Sequence, residues 1–501
     1  MKGKKELLTI IVSALLITFL FYKNSLGLNL FLFEMIFIGF LVITKQLIIK
    51  SKNQKISLVG FLLTSLFTII TYSTFSYFIH FVTLIIFIGV LNYPNVKSLI
   101  NALKITFVSF FVSQQKFLGI VFKSNFKGKN IGSVLWKSRI FLIPIAIIAL
   151  FVIIYAASNP IFNTIVSEGF ETIFNAFNLI FKDLEVLIVI TFLIGIIISN
   201  YLIIRTRNQA LADKDLLSSD ELVRQKRGYN NSGIMALKNE YKAAIFLFFT
   251  LNVLLFILNS IDIYWVWFNF EWTGQFLKQF VHEGTYLLIL SIIISIVLVL
   301  YFFRNNLNFY KNNKWLKRLS YIWIAQNAVL VISVGIRNFW YINYYSLAYK
   351  RIGVIIFLLV TLYGLYTVLV KVRNRKSSFY LLSINSTAIF VVLIISSLVN
   401  WDSVIAKYNF NHSDKSYLHL EYLVTLSDKS LPYLDKSLSE LSIIEKTQKQ
   451  LFPISEYSMT PSEYHRRINK RKEKFKLNWE NKSLLEWNFA DYRAYKKLFK
   501  D

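Results

Sequence analysis

Seven chemically capable side chains mark the ends of five consecutive apolar runs in this 501-residue chain. They are Asp262, the adjacent His282 and Glu283, Arg337, the adjacent Lys350 and Arg351, and Asp402. If the runs are antiparallel helices, all seven fall at one end. Three acids, a histidine and three bases placed together could lock the helix ends as a salt-bridge network. They could equally hold an anionic headgroup and pass a proton, with His282, Glu283 and Arg337 as the catalytic candidates. Asp262, Lys350, Arg351 and Asp402 are then the binding cluster. His282 and Glu283 point apart on a helix, which weakens them as a direct pair.

Other polar residues lie inside the runs. Glu34 and His80 are ionisable, and charge within a bilayer is costly enough to mark function by default. Asn252, Asn259 and Asp262 share one helical stripe, and Gln326, Asn327 and Asn385 lie in later runs. Their simpler use is hydrogen bonding between helices. The chain has no HExxH, GxSxG, GxGxxG or GxxxxGK[ST] pattern. Cysteine is absent, which excludes disulfides, thiolate metal sites and cysteine nucleophiles. His412 and His419, in a polar tail, are too far apart for a helical metal site. No metal and no cofactor is expected.

The elements that must position these groups are membrane spans. Hydrophobic residues make up 55% of the chain and charged residues only 17%. Apolar runs at 7–22, 28–44, 56–72, 74–93, 140–157, 184–204, 243–263, 285–303, 319–338, 351–370 and 379–400 are long enough to span. The first resembles a signal-peptide core but has no small-residue cleavage site after it, so an uncleaved span is expected. Of the 38 Lys and Arg residues before position 400, 32 fall in alternate gaps. Cytoplasmic loops collect Lys and Arg, so this pattern puts the N-terminus inside and residues 401–501 outside. The net charge of +28 is therefore a topology signal and not a nucleic-acid footprint. Segment 97–125 has a short apolar core between Lys104 and Lys116, and suits an interfacial amphipathic helix. Segment 158–183 shows helical spacing and is placed on the outer surface.

The expected fold is all-α. Residues 1–400 form a polytopic transmembrane bundle of about 11 spans. Residues 401–501 form a small helical extracytoplasmic module, with helical spacing at Leu431, Leu434, Leu438, Leu441 and Ile444.

The stretches Val281-His282-Glu283-Gly284-Thr285-Tyr286, Tyr349-Lys350-Arg351-Ile352-Gly353-Val354 and Asn400-Trp401-Asp402 are similar to a bacterial multi-pass membrane family known only as a domain of unknown function. So is Glu486-Trp487-Asn488-Phe489-Ala490-Asp491-Tyr492-Arg493-Ala494. The resemblance covers roughly the C-terminal half and carries no activity. It implies a bacterial cytoplasmic-membrane protein. Three roles stay open: a non-enzymatic envelope scaffold or sensor, which ranks first, an envelope lipid- or glycan-modifying transferase, and a small-solute transporter. The expected partners are the bilayer, with anionic lipid or envelope components, and no nucleic acid.

Overall fold

The computed structural model describes residues 2–123, 148, 151–152, 155–156, 159–180, 185–204, 209–224, 233–270, 274–452 and 459–500. For 2–5, 120–123, 160, 173–180, 209–211, 233–236 and 274–283 it describes the backbone alone. The described residues are helical, with one isolated β-bridge between Glu221 and Lys376. The membrane part comprises α1 (Lys2–Phe21), α2 (Leu28–Ile43), α3 (Lys52–Thr71), α4 (Thr74–Asn92), α5 (Leu99–Lys123), α6 (Pro160–Ile180), α7 (Val186–Ile204), α8 (Gln209–Leu216), α9 (Gly233–Asp262), α10 (Gly274–Phe302), α11 (Lys314–Tyr345), α12 (Tyr349–Asn374) and α13 (Ser378–Ser397).

Eight helices among the described residues are long and apolar enough to cross a membrane: α3, α4, α7, α9 with its extension, α10 from Gly284, α11, α12 and α13. The apolar parts of α1 (Glu6–Phe21) and α2 are shorter. The expected span at 140–157 lies mostly outside the described residues, so a count of eleven is not matched helix for helix. Phe19, Phe246 and Leu359 are 74%, 73% and 60% exposed. Large apolar side chains left open along apolar helices fit a lipid surround, where no water penalises them.

Local sequence sets the boundaries. Ser51 and Gln54 form a reciprocal capping box at the start of α3, and Ser73 and Ser76 form another at α4. Between them Tyr72 is left-handed, at φ 47°, which makes the α3–α4 turn very short. The two helices pack together against α2, α5 and α13, while α1 packs on α7. A second group, α9 to α12, surrounds Phe248, Ile292, Leu330 and Val334. Helix α13 contacts both α12 and the first group.

Hydrogen bonds sort the gaps to two ends. At one, Asn53 reaches the carbonyl of Val96 (3.0 Å), Lys97 reaches that of Leu216 (2.7 Å), and Leu222 N–H donates to Arg375 O (2.9 Å). These are the gaps rich in Lys and Arg. At the other, Lys23 pairs with Glu185 (2.8 Å) and Leu28 N–H donates to Trp487 O (3.0 Å). Among the described gaps there is thus a basic end and a tail end. The chain changes ends between Leu99 and Glu185. Helix α5 departs from the expected surface helix: its buried Ala102, Ile105 and Thr106 face α4, and it runs antiparallel to α7, where Tyr201 OH donates to Thr106 O (3.3 Å) and Gln114 to Ile197 O (3.2 Å). Small and hydroxyl residues at these positions let a weakly apolar helix pack against neighbours.

The tail folds over the tail end as α14 (Trp401–Asn411), α15 (Leu420–Val424), α16 (Leu431–Leu434), α17 (Leu438–Leu451), α18 (Pro461–Glu480) and α19 (Phe489–Phe499). Pro461 opens α18 at its first turn, where a missing N–H is harmless. Leu423, Leu431, Tyr464 and Ile468 form the tail's core together with Ile342, Leu347 and Ile352 from α11, α12 and the turn between them. Gly27 lets the tail come close: a Cβ there would sit 2.5 Å from Glu486 O.

Candidate functional site

Asp262 and Arg337 meet in the second helix group. Arg337 Nη2 donates to Asp262 Oδ1 at 2.5 Å, and Ser333 donates to Oδ2 at 2.6 Å. Both charged residues are buried, Asp262 to 3% and Arg337 to 4% exposure. Asp262 ends the α-helical part of α9, and the chain continues as a π-helical segment, Ile263–Phe268. Gly284 of α10 approaches the same guanidinium, 3.7 Å from the place of a Cβ. The side chains of His282 and Glu283 lie outside the described residues.

The other expected members go elsewhere. Arg351 turns to the end of α11, donating to Tyr345 O (2.6 Å) and Ser346 O, with its guanidinium 4.3 Å from the Tyr341 ring centre. It caps helix carbonyls, a favourable place for a cation. Lys350 is exposed beside it, at the rim of a small cavity of about 90 Å³ that includes Thr285, Asn338 and Tyr341. Asp402 accepts from Tyr349 OH (2.6 Å) and from Ser427. Lys429 Nζ stands 4.0 Å from Asp402 Oδ2 and donates to Tyr72 O at 2.7 Å. Burial pushes the Lys429 ammonium below its ordinary value, while Asp402 and Asp491 oppose that shift. Of the five whose side chains are described, the structure places Asp262 and Arg337 in an α9–α11 ion pair, Arg351 at a capped helix end, Asp402 in a tail-docking network and Lys350 at an exposed rim.

Beneath the tail, Lys429 faces a cavity of about 450 Å³. Its wall takes Ser25 and Tyr72 from the span ends, and Asp428, Trp479, Lys482 and Asp491 from the tail. Lys482 donates to Asp491 Oδ2 (2.7 Å) and lies 4.7 Å from the Tyr72 ring centre. Sequence reading did not select Lys429, Lys482 or Trp479. The signal that could have found part of this site was the Glu486–Ala494 stretch, since Glu486 and Asp491 both border the cavity.

The first helix group holds a second acid–base cluster. His80 Nε2 and Glu34 Oε1 are 2.5 Å apart, Ser65 donates to Glu34 Oε2 (2.5 Å), and Thr64 Oγ1 lies 3.1 Å from His80 Nδ1. Glu34 is 2% exposed and His80 is fully enclosed. Sequence reading named both residues, but separately. The amide stripe found its plainer use: Asn252 donates to Leu319 O (3.0 Å), Gln326 to Asn252 Oδ1 (2.8 Å) and Asn259 to Gln326 O (3.0 Å), tying α9 to α11. Among the described residues no group of three His, Asp or Glu could hold a metal.

A bundle of apolar helices with polar pairs sealed inside and charge gathered at one end is an integral membrane protein of the polytopic α-helical class. The chain belongs to the DUF4153 family, a domain of unknown function, whose profile matches residues 7–437. The match includes the first 200 residues, which the sequence resemblance reached only through hydropathy, and it ends before Glu486. No curated protein and no solved structure matches the chain.

Proposed function

We propose that the protein is a sensor in the cytoplasmic membrane of a bacterium, with its basic end in the cytoplasm and its tail outside. The observation that carries this reading is the 450 Å³ cavity whose walls come from both the tail and the span ends. A ligand bridging Trp479 and Lys482 to Tyr72 stabilises one placement of the tail on the bundle, and differential affinity of that kind is what shifts a conformational equilibrium. Mixed charge beside Trp479 and Tyr72 suits a small polar envelope component such as an amino sugar. Anionic lipid gathers at the basic end. The transporter reading rests on one observation, the Glu34–His80 pair inside the bundle. The transferase reading has none of comparable weight among the described residues.

The test has two parts. A reporter active only outside the cytoplasm, fused after Asp501, is expected to be active. Activity of a cytoplasm-only reporter there reverses the sidedness and removes the envelope ligand. In detergent, a panel of amino sugars and amino acids is expected to contain a compound that raises the unfolding temperature of the wild type and not of Trp479→Ala. Equal shifts in both proteins would reject the cavity as the binding place.

A further inference from the structure

The Glu34–His80 cluster is built to exist in two protonation states. With His80 doubly protonated, Nε2–H donates to Glu34 Oε1 and Nδ1–H donates to Thr64 Oγ1. The Thr64 hydroxyl then turns its own proton to Gly60 O, 2.9 Å away, or Phe61 O, 3.1 Å away. With His80 singly protonated, Nε2–H still donates to Glu34 and Thr64 donates to the bare Nδ1. Thr83, 2.7 Å from Thr64 Oγ1 and 2.8 Å from His80 O, completes either arrangement. Ser65 donates to the other carboxylate oxygen throughout. Neither state leaves a buried polar atom of this cluster without a partner, and an orphaned group is what penalises such networks.

The two flanks of the cluster differ in what packs there. Toward the tail end, the buried face of α3 continues from Ser65 to Thr68 and Thr71, one turn apart, and ends at Tyr72 on the rim of the cavity. Toward the basic end, the ring of Phe61 stacks on His80 (5.6 Å) and on Phe87 (5.1 Å), and Gly60 is pressed against Phe390 and Ile394. The bundle helices packed around the cluster bring no second charge, with Tyr201 the ionisable residue of α7, while the tail helix α19, packed on α3, carries Asp491, Arg493, Lys496 and Lys497. Helix α2 has no other ionisable residue, α3 carries Lys52 and Lys55 at its basic end, and the charged residues of α1 are Lys2, Lys4, Lys5 and Glu6. Helix α4 adds Tyr77, which donates to Leu26 O (3.1 Å), α5 has Lys104, Lys116 and Lys123, and α13 has Tyr380 near its start.

We propose that Glu34, His80 and Thr64 form a proton-binding site in the membrane interior, loaded from the tail side past the buried polar face of Ser65, Thr68 and Thr71, whose hydroxyls donate to Glu34, Ser65 O and Phe67 O in turn. A hydronium at the tail end supplies the proton: its O–H bond breaks, an N–H bond forms at His80 Nδ1, and water is left behind. Such a site makes the bundle responsive to pH on the tail side alone. It does not depend on the cavity ligand, so either idea can fail without the other.

Nitrogen-15 NMR of histidine-labelled protein in lipid tests it directly. The His80 signal is identified by its disappearance in His80→Gln. In the wild type it is expected to pass between the two-N–H and one-N–H forms within the pH range in which the protein stays folded. In proteoliposomes it should follow a pH step applied at the tail side. Thr68→Val with Thr71→Val should slow that response, and Phe61→Ala should let a step at the basic side produce it. A His80 signal fixed in one form at every pH where the wild type is folded would overturn the proposal. A wild-type signal that follows the basic side would overturn its direction.

Discussion

The two halves of the bundle each bury one acid–base pair with a serine, and the pairs differ in the base. Glu34 faces an imidazole with a hydroxyl rotor behind it, whereas Asp262 faces a guanidinium. Imidazole is the side chain that changes charge in the physiological range, and guanidinium stays charged in proteins. The Asp262–Arg337 pair is therefore an ion pair whose base keeps its charge, and it fixes α9 to α11 next to the π-helical end of α9. The Glu34–His80 pair is exchangeable. The same composition of acid, base and serine thus yields a clamp in one half and a switch in the other. The glycines follow a related division. In the first group a Cβ on Gly89 would lie 2.2 Å from Thr106 Oγ1 and 2.5 Å from Ala102 O, while in the second Gly335 has only an ordinary 3.7 Å contact with Leu358.

The largest expected effect breaks the clamp. Asp262→Ala leaves Arg337 buried without its anion and should lower stability by about 3–5 kcal/mol, read as a fall in unfolding temperature in detergent. Replacing both Asp262 and Arg337 with leucine should recover most of the loss. If the double variant is as unstable as the single one, the pair is more than an ion pair and the comparison fails.

Close approach comes next. Gly89→Ala should cost about 1–3 kcal/mol, because the α4 and α5 backbones must separate. Gly335→Ala should be neutral or mildly stabilising, by up to about 1 kcal/mol, since alanine is the better helix former. Equal effects at the two positions would erase the difference in packing between the halves.

Glu34→Gln should be milder than any change at Asp262, about 1 kcal/mol, because the amide oxygen still accepts from His80 while the amide NH2 donates to the Ser65 hydroxyl. A loss as large as that of Asp262→Ala would mean that the Glu34 charge is itself required and that the site is a second clamp.

The smallest effect is an exposed reference in the tail. Ser437 N–H donates to Glu440 and holds its carboxyl below the ordinary value of 4.5. A lowered carboxyl contributes stability above its ordinary value and loses it as pH falls through the lowered one. Ser437→Ala keeps that N–H but loses the hydroxyl, which donates to Glu440 Oε2 at 3.1 Å and accepts from Glu440 N–H, so it should cost about 1 kcal/mol or less at neutral pH, and the carboxylate's share of the cost should shrink in acid. A cost that grows in acid would contradict the assignment.

Much of this arrangement was legible in the residues. Lys and Arg gathered in gaps between apolar runs pointed to a basic end. Glu34, His80, Asp262 and Arg337 were each visible as costly groups within apolar runs. Their pairing was not, because partners 46 and 75 positions apart share no local pattern. The placement of α5 was missed for a related reason. Its average hydropathy is diluted by Lys104 and Lys116, while Ala102, Thr106 and Ser113 suit close helix contact, which no hydropathy average records.

The sequence by itself determined the solvent and the helical class of the fold, because hydrophobic length and charge placement act residue by residue. Only the tertiary structure decided which base meets which acid, that Arg351 caps a helix while Asp402 docks the tail, and that Lys429 and Trp479 share a cavity with Tyr72. Those outcomes depend on distance and desolvation between residues far apart in the chain, and packing alone sets both.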